Sequence, residues 1–261
     1  MPAKETEIPV PHRAIIVFCV VGATILQTLD STIANVALPY MQGTFSTTLD
    51  QVIWVLTSYI IATAIFTGPV GWFSARYGRK NFFIFCLAGF TMFSMLCGFA
   101  NSLTEMVIYR ILQGASGAAL VPLSQAIMMD LYPPHKRGSA MALWGMGVMV
   151  GPIVGPTLGG YLIDAFDWRY VFFINLPVGV TAIAGIVVFL QEKPVSKPHQ
   201  FDWIGFVSLA IALAALQWML DRGSDKDWFE SGEIVLAAIL SATCCYLFFV
   251  HTWLSEKSFL P

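Results

Sequence analysis

The sequence predicts an all-α protein, a polytopic membrane helical bundle. Three observations carry this. Of 261 residues, 57% are hydrophobic and only 11% charged, whereas a soluble globular domain sits near half apolar and a quarter charged. Mean hydropathy is +0.71. The apolar residues also fall in runs of about 20, the length that crosses a hydrocarbon core about 30 Å thick.

Eight such runs are expected, near 14–38, 51–73, 82–100, 105–129, 139–163, 171–190, 203–220 and 234–254. The first is too long for a signal-peptide core, contains Asp30 and lacks a small-residue cleavage site after it, so it reads as a retained span. Trp54, Trp72, Trp168, Trp203, Trp228 and Trp253 fall at run ends, where amphipathic rings favour the headgroup layer.

The chain then divides into an N-terminal tail (1–13), a six-helix bundle (14–190), a linker rich in Pro, Lys and Ser (191–202), two further helices (203–254) with an acidic loop at 221–233, and an end segment (255–261). With the N-terminus inside, one side holds Lys4, Arg13, Arg76, Arg79, Lys80, Lys136, Arg137, Lys193, Lys197 and Lys257. The other holds Arg169, Arg222 and Lys226. That asymmetry places both chain ends in the cytoplasm.

Several classes are excluded. A net charge of -2 gives no electrostatic footprint for nucleic acid. Cys19, Cys86, Cys97, Cys244 and Cys245 lie in apolar runs without zinc-ligand or CxxC spacing, which points to apolar packing and to no cofactor or metal. His12, His135, His199 and His251 lie in loops or at run ends, so no membrane-embedded enzyme site is indicated.

Asp30 and Arg110 lie inside runs, where a charge costs at least about 2.5–3.5 kcal/mol and normally faces a bundle interior or a wet path. Counted from the outer edges of their runs, both sit about 9–12 Å deep. A direct ion pair, a pair bridged by water or ligand, and a salt bridge that only pins two helices are all open. Gln113 shares a face with Arg110. Asn35, five residues after Asp30, is about 140° round the helix and could equally bond a neighbouring helix.

The fifth run carries Gly151, Gly155, Pro156, Gly159 and Gly160. Glycines four apart allow close helix approach, while Pro152 and Pro156 remove donors and favour a kink. Packing and gating are both open. Between runs two and three, residues 71–80 (Gly71, Arg76, Gly78 and Arg79 among them) read as a tight basic turn.

These segments resemble the major facilitator superfamily, in particular its fourteen-span drug:proton antiporters of the EmrB/QacA type. Leu29-Asp30-Ser31-Thr32-Ile33-Ala34-Asn35-Val36-Ala37-Leu38-Pro39 is similar to that family's first-helix signature. Arg110, Gln113, Gly114 and Gly117 resemble its fourth-helix motif, and residues 151–160 its fifth-helix antiporter motif. Asp167-Trp168-Arg169 through Phe172, Phe173, Asn175 and Pro177 fits its entry to helix six, and residues 220–223 and 227–229 its EmrB branch. Ala75 departs from it, standing where the loop motif usually has an acid.

The resemblance implies a multidrug efflux transporter of a bacterial inner membrane. It would export hydrophobic amphipathic compounds in exchange for protons, with Asp30, Asn35, Arg110 and Gln113 binding proton and substrate. It also implies a periplasmic membrane-fusion adaptor and an outer-membrane channel as partners. Fourteen spans need about twice this length, so the chain is expected to supply the N-terminal six-helix half and two extra helices, as a truncated product or beside a second polypeptide. A transporter of one specific solute and a non-transporting half-protein that acts in assembly are the alternatives.

Overall fold

The computed structural model describes residues 12–192 and 200–255, and these are helical throughout with short turns. The helices are α1 (Arg13–Phe45), α2 (Leu49–Val52), α3 (Trp54–Thr67), α4 (Val70–Tyr77), α5 (Arg79–Phe99) and α6 (Leu103–Gly117). They continue with α7 (Leu120–Leu131), α8 (Arg137–Ala165), α9 (Tyr170–Phe173), α10 (Asn175–Phe189), α11 (Trp203–Gly223) and α12 (Gly232–Leu254). Several join end to end, so the described residues contain eight helices long and apolar enough to cross a membrane. Lys4, Lys193, Lys197, His199 and Lys257 lie outside the described residues.

α1 is the axis of the first six spans. It packs on α8, α10 and α7, while α6 packs on α3 and α5. Two apolar clusters fill the bundle. One gathers Ile16, Val20, Phe83, Leu87, Phe90 and Met128, and the other Ile33, Met41, Val55, Met106 and Phe172. α12 packs on α11, and α11 rests on α3 through Trp54–Trp218 (5.4 Å between ring centroids) and Phe66–Phe206 (6.1 Å).

Two expectations change. The first run was expected to end near Leu38, yet α1 continues through Pro39 to Phe45. Proline removes one intrahelical donor, and the extra turns are held from outside. Trp168 Nε1 donates to Thr44 Oγ1 at 2.9 Å, and its ring packs edge-on against Phe45.

The basic turn at 71–80 is mostly helix. The chain breaks at Gly68 and Pro69, α4 covers 70–77, and the reversal falls on Gly78 alone, at φ 85°. Such a backbone angle suits glycine. Gly71 sits in a helix with open space beside it. Ala75 offers no carboxylate at this end; the bridge to another helix runs from Arg79 to Asp130 at the end of α7, 2.5 Å.

Pro152 and Pro156 lie inside one continuous helix, α8. Pro152 cannot donate to Val148 O, its partner four residues back, and Thr28 Oγ1 on α1 lies 3.3 Å from that oxygen. A neighbouring hydroxyl thus serves the freed carbonyl, which is how membrane helices tolerate proline.

Candidate functional site

Helix periodicity puts Asp30 on the inner face of α1 and Arg110 on the inner face of α6. They meet directly, Arg110 Nη1 to Asp30 Oδ2, 2.5 Å, and are 0% and 1% exposed as side chains, Arg110 first. Of the arrangements open from sequence, the structure contains the direct pair. Gln113, one turn after Arg110, accepts from Arg110 Nη1 at 2.9 Å and donates to Asp30 Oδ1 at 2.9 Å.

Three further spans complete the cluster. Asn175, which opens α10, donates through Nδ2 to Asp30 Oδ1 (2.9 Å) and to Ser94 Oγ of α5 (2.8 Å). Ser94 donates to Phe172 O at 2.9 Å, and Cys97 Sγ lies 3.5 Å from Gln113 Oε1. On α3, Val55 O accepts from Arg110 Nε at 3.0 Å, and the Tyr59 ring lies 4.1 Å from the guanidinium carbon. Arg110 Nη2 and Asn175 Oδ1 remain buried without a partner among the described residues.

The electrostatics follow. A buried ion pair is tolerated only where further hydrogen bonds serve both charges. Here Asp30 accepts from Arg110, Gln113 and Asn175, while Arg110 has a carbonyl, an amide oxygen and an aromatic face besides. The Tyr59 contact is of the cation–π kind. Arg110 therefore keeps several partners if Asp30 becomes neutral, a property of an element able to hold two charge states.

Other sequence-predicted residues fall elsewhere. Asn35 is exposed on α1 and is not brought to Asp30; the five-residue offset turns it to another face. Gly151 and Gly155 press on α1, where an added Cβ would meet Thr28 and Thr32, and Gly159 lies on Ile33. Gly160 is off that stripe, with open space around it, and Pro156 is exposed. Arg76 stacks over Trp72, 5.4 Å from its ring.

Sequence reasoning missed Tyr59 and Ser94 as members of the cluster, and Asn175 was noted only within a motif. The available signal was polar residues at depth in apolar runs, Ser94 and Asn175 above all. Tyr59 carries no such signal, since tyrosine is ordinary in a span.

The family model described as Major Facilitator Superfamily matches residues 20–259. Among curated relatives, the Multidrug export protein EmrB of Haemophilus influenzae is 41% identical over 223 residues, 85% of this chain and 44% of that protein. That of Escherichia coli (strain K12) is 40% identical over 227 residues, with the same 44% share. The Fatty acid resistance protein FarB of Neisseria gonorrhoeae is 39% identical, over 90% of this chain and 46% of its own length. The chain thus spans less than half the length of these relatives. Among solved structures, a peptide transporter POT in complex with sulfate superposes with a TM-score of 0.67 at 14% identity, over 93% of this chain and 53% of that one. That likeness speaks for the fold alone. A family match over nearly the whole chain, on a bundle whose first and fourth spans are joined by a buried charge pair, places this chain in the Major Facilitator Superfamily.

Proposed function

We propose that this chain forms part of a proton-coupled exporter of hydrophobic, amphipathic compounds, with Asp30 as the proton-carrying group. One observation carries the reading: a single carboxylate, buried at the centre of six spans, paired with an arginine that has other partners. The names of the relatives, multidrug export and fatty acid resistance, support this cargo class.

In the proposed cycle, a proton on Asp30 neutralises the carboxylate and releases Arg110 to Val55 O, Gln113 and the Tyr59 face. Loss of the proton restores the pair. Each proton moving inward contributes about 2.3 kcal/mol per 100 mV of membrane potential. Gln113 bridges the partners in both states. Asn35, on the exposed face of α1, would meet cargo rather than the proton. The glycine face of α8 would let α1 and α8 move as one body.

The reading extends to residues 14–190 as the transport unit, 191–202 as its linker and 203–254 as an appended helix pair. It also places the chain in a bacterial inner membrane with both ends cytoplasmic. An adaptor and an outer-membrane channel would be partners of the complete exporter.

The test is a graft into Escherichia coli Multidrug export protein EmrB in place of the matching segment. Everted vesicles carrying the graft should accumulate a hydrophobic dye when acidified inside. Asp30→Asn should abolish this at equal membrane abundance. Full pH-driven accumulation by Asp30→Asn would leave the pair a purely structural salt bridge.

A further inference from the structure

Outside the charge cluster, α3, α4, α5 and α6 enclose a second feature, an aromatic groove of about 730 Å³. Phe66, Phe73, Phe82, Phe85 and Phe93 line it, and Phe85 is 73% exposed on its rim. α5 and α6 close on each other at Gly89, where an added Cβ would come 2.7 Å from Ser116 Oγ, so the groove has a floor. From Phe82 to Phe93 it follows α5 for about 17 Å. One leaflet's share of the hydrocarbon core is about 15 Å.

The end of the groove carries charge. Tyr77 lines it, and the Arg76 guanidinium lies 5.9 Å from the Tyr77 ring. Arg76 is exposed and has no salt-bridge carboxylate among the described residues. The neighbouring charges are committed: Arg79 to Asp130, Lys80 Nζ to Val187 O at 2.8 Å, and Glu192 to the Asn81 amide at 2.7 Å. One cation is thus left at the end of an apolar, leaflet-length slot between helices long and apolar enough to cross a membrane.

We propose that this groove is a binding site for an anionic phospholipid, with an acyl chain along Phe82–Phe93 and the phosphate on Arg76. The slot's length matches the stretch of one acyl chain across a leaflet. The lone arginine selects an anionic headgroup, since basic residues beside a membrane attract anionic lipid. Nothing in the site depends on the Asp30–Arg110 pair or on proton coupling.

Native mass spectrometry of the delipidated chain tests this, with phosphatidylglycerol and phosphatidylcholine titrated separately. Phosphatidylglycerol should be retained more strongly. Arg76→Gln should lower its retention about fivefold, the weight of one basic residue near an anionic surface, and leave phosphatidylcholine unchanged. Ala115→Trp, which fills the groove from α6, should weaken both lipids. Equal retention of the two lipids by the unaltered chain, or selectivity that survives Arg76→Gln, would overturn the site. So would an Ala115→Trp chain that keeps its lipid while losing tetraphenylphosphonium binding, which would make the groove a cargo pocket instead. Near-ultraviolet circular dichroism distinguishes these effects from unfolding.

Discussion

Arg110 has more partners than any other charged side chain in the bundle interior: Asp30, Gln113, Val55 O and the Tyr59 ring. Its planar fork uses Nε and Nη1 in different directions, which a lysine ammonium cannot reproduce. Arg110→Lys should therefore lower thermal stability as well as impair coupling, and Arg110→Ala more so. Removing one member of a buried pair typically costs about 3–5 kcal/mol, because the other charge is left uncompensated. The double variant Asp30→Asn, Arg110→Gln should be more stable than Arg110→Gln alone, measured as the midpoint of thermal unfolding in detergent. A double variant less stable than both singles would mean that the charges are not each other's main partners. At this scale the sequence was legible where an ionisable side chain interrupted an apolar run. Asp30 and Arg110 stood out for that reason, and Gln113 followed from its i+3 spacing. Tyr59 did not stand out, because a cation–π contact depends on the distance between two helices that no local pattern encodes.

At the scale of elements, α1 and α8 meet along a seam of small and hydroxyl residues. Gly151 faces Thr28, Gly155 faces Thr32 and Gly159 faces Ile33. Thr28 Oγ1 also lies within reach of the carbonyl freed by Pro152, and Thr32 Oγ1 lies 3.3 Å from Gly151 O. This predicts a sign difference between neighbouring glycines. Gly151→Ala and Gly155→Ala force backbone or side-chain shifts, and overpacking typically costs about 1–3 kcal/mol. Gly160→Ala meets open space and gains helix propensity, up to about 1 kcal/mol. Thermal midpoints of the three variants should fall, fall and hold or rise. A uniform fall would show that the seam is not where these helices touch. The spacing of the glycines made the stripe readable, but not which glycine of the final pair faced α1. Adjacent positions lie about 100° apart on a helix, so Gly159 and Gly160 cannot both face one neighbour. The prolines were less legible. Pro39, just past the expected end of the first run, and Pro152 and Pro156 in the fifth all lie inside continuous helices. What carries them on is tertiary: Trp168 at the end of α1 and Thr28 beside Pro152.

The whole molecule has two chemically different ends. At one, Arg13 stacks on Tyr132, Arg79 bridges to Asp130, Lys80 caps the α10 terminus through Val187 O, and His251 meets Asp202. At the other, Trp168 joins Thr44, Arg169 donates to Ala100 O at 3.2 Å, and Lys226 pairs with Glu233. Among the described residues the first end holds Arg13, Arg76, Arg79, Lys80, Lys136 and Arg137, and the second Arg169, Arg222 and Lys226. Short loops with excess Lys and Arg stay in the cytoplasm, and the acidic residues contribute little to that choice. The basic end should therefore face inward. In a background without the five native cysteines, single cysteines at Tyr77 and His135 should react with an impermeant maleimide only after the membrane is opened. Those at Gln51, Asn101, Asp164 and Asp225 should react from the outside. All six positions lie at helix ends or in turns, so labelling reads sidedness rather than burial. Because α1 to α10 pack as one bundle around α1, the positions are not independent. One reversed position alone would mean a local error in a span, whereas reversal of all six would invert the membrane orientation. Inversion would put Arg76 at the outer leaflet, and the lipid on its groove would then have to come from that side.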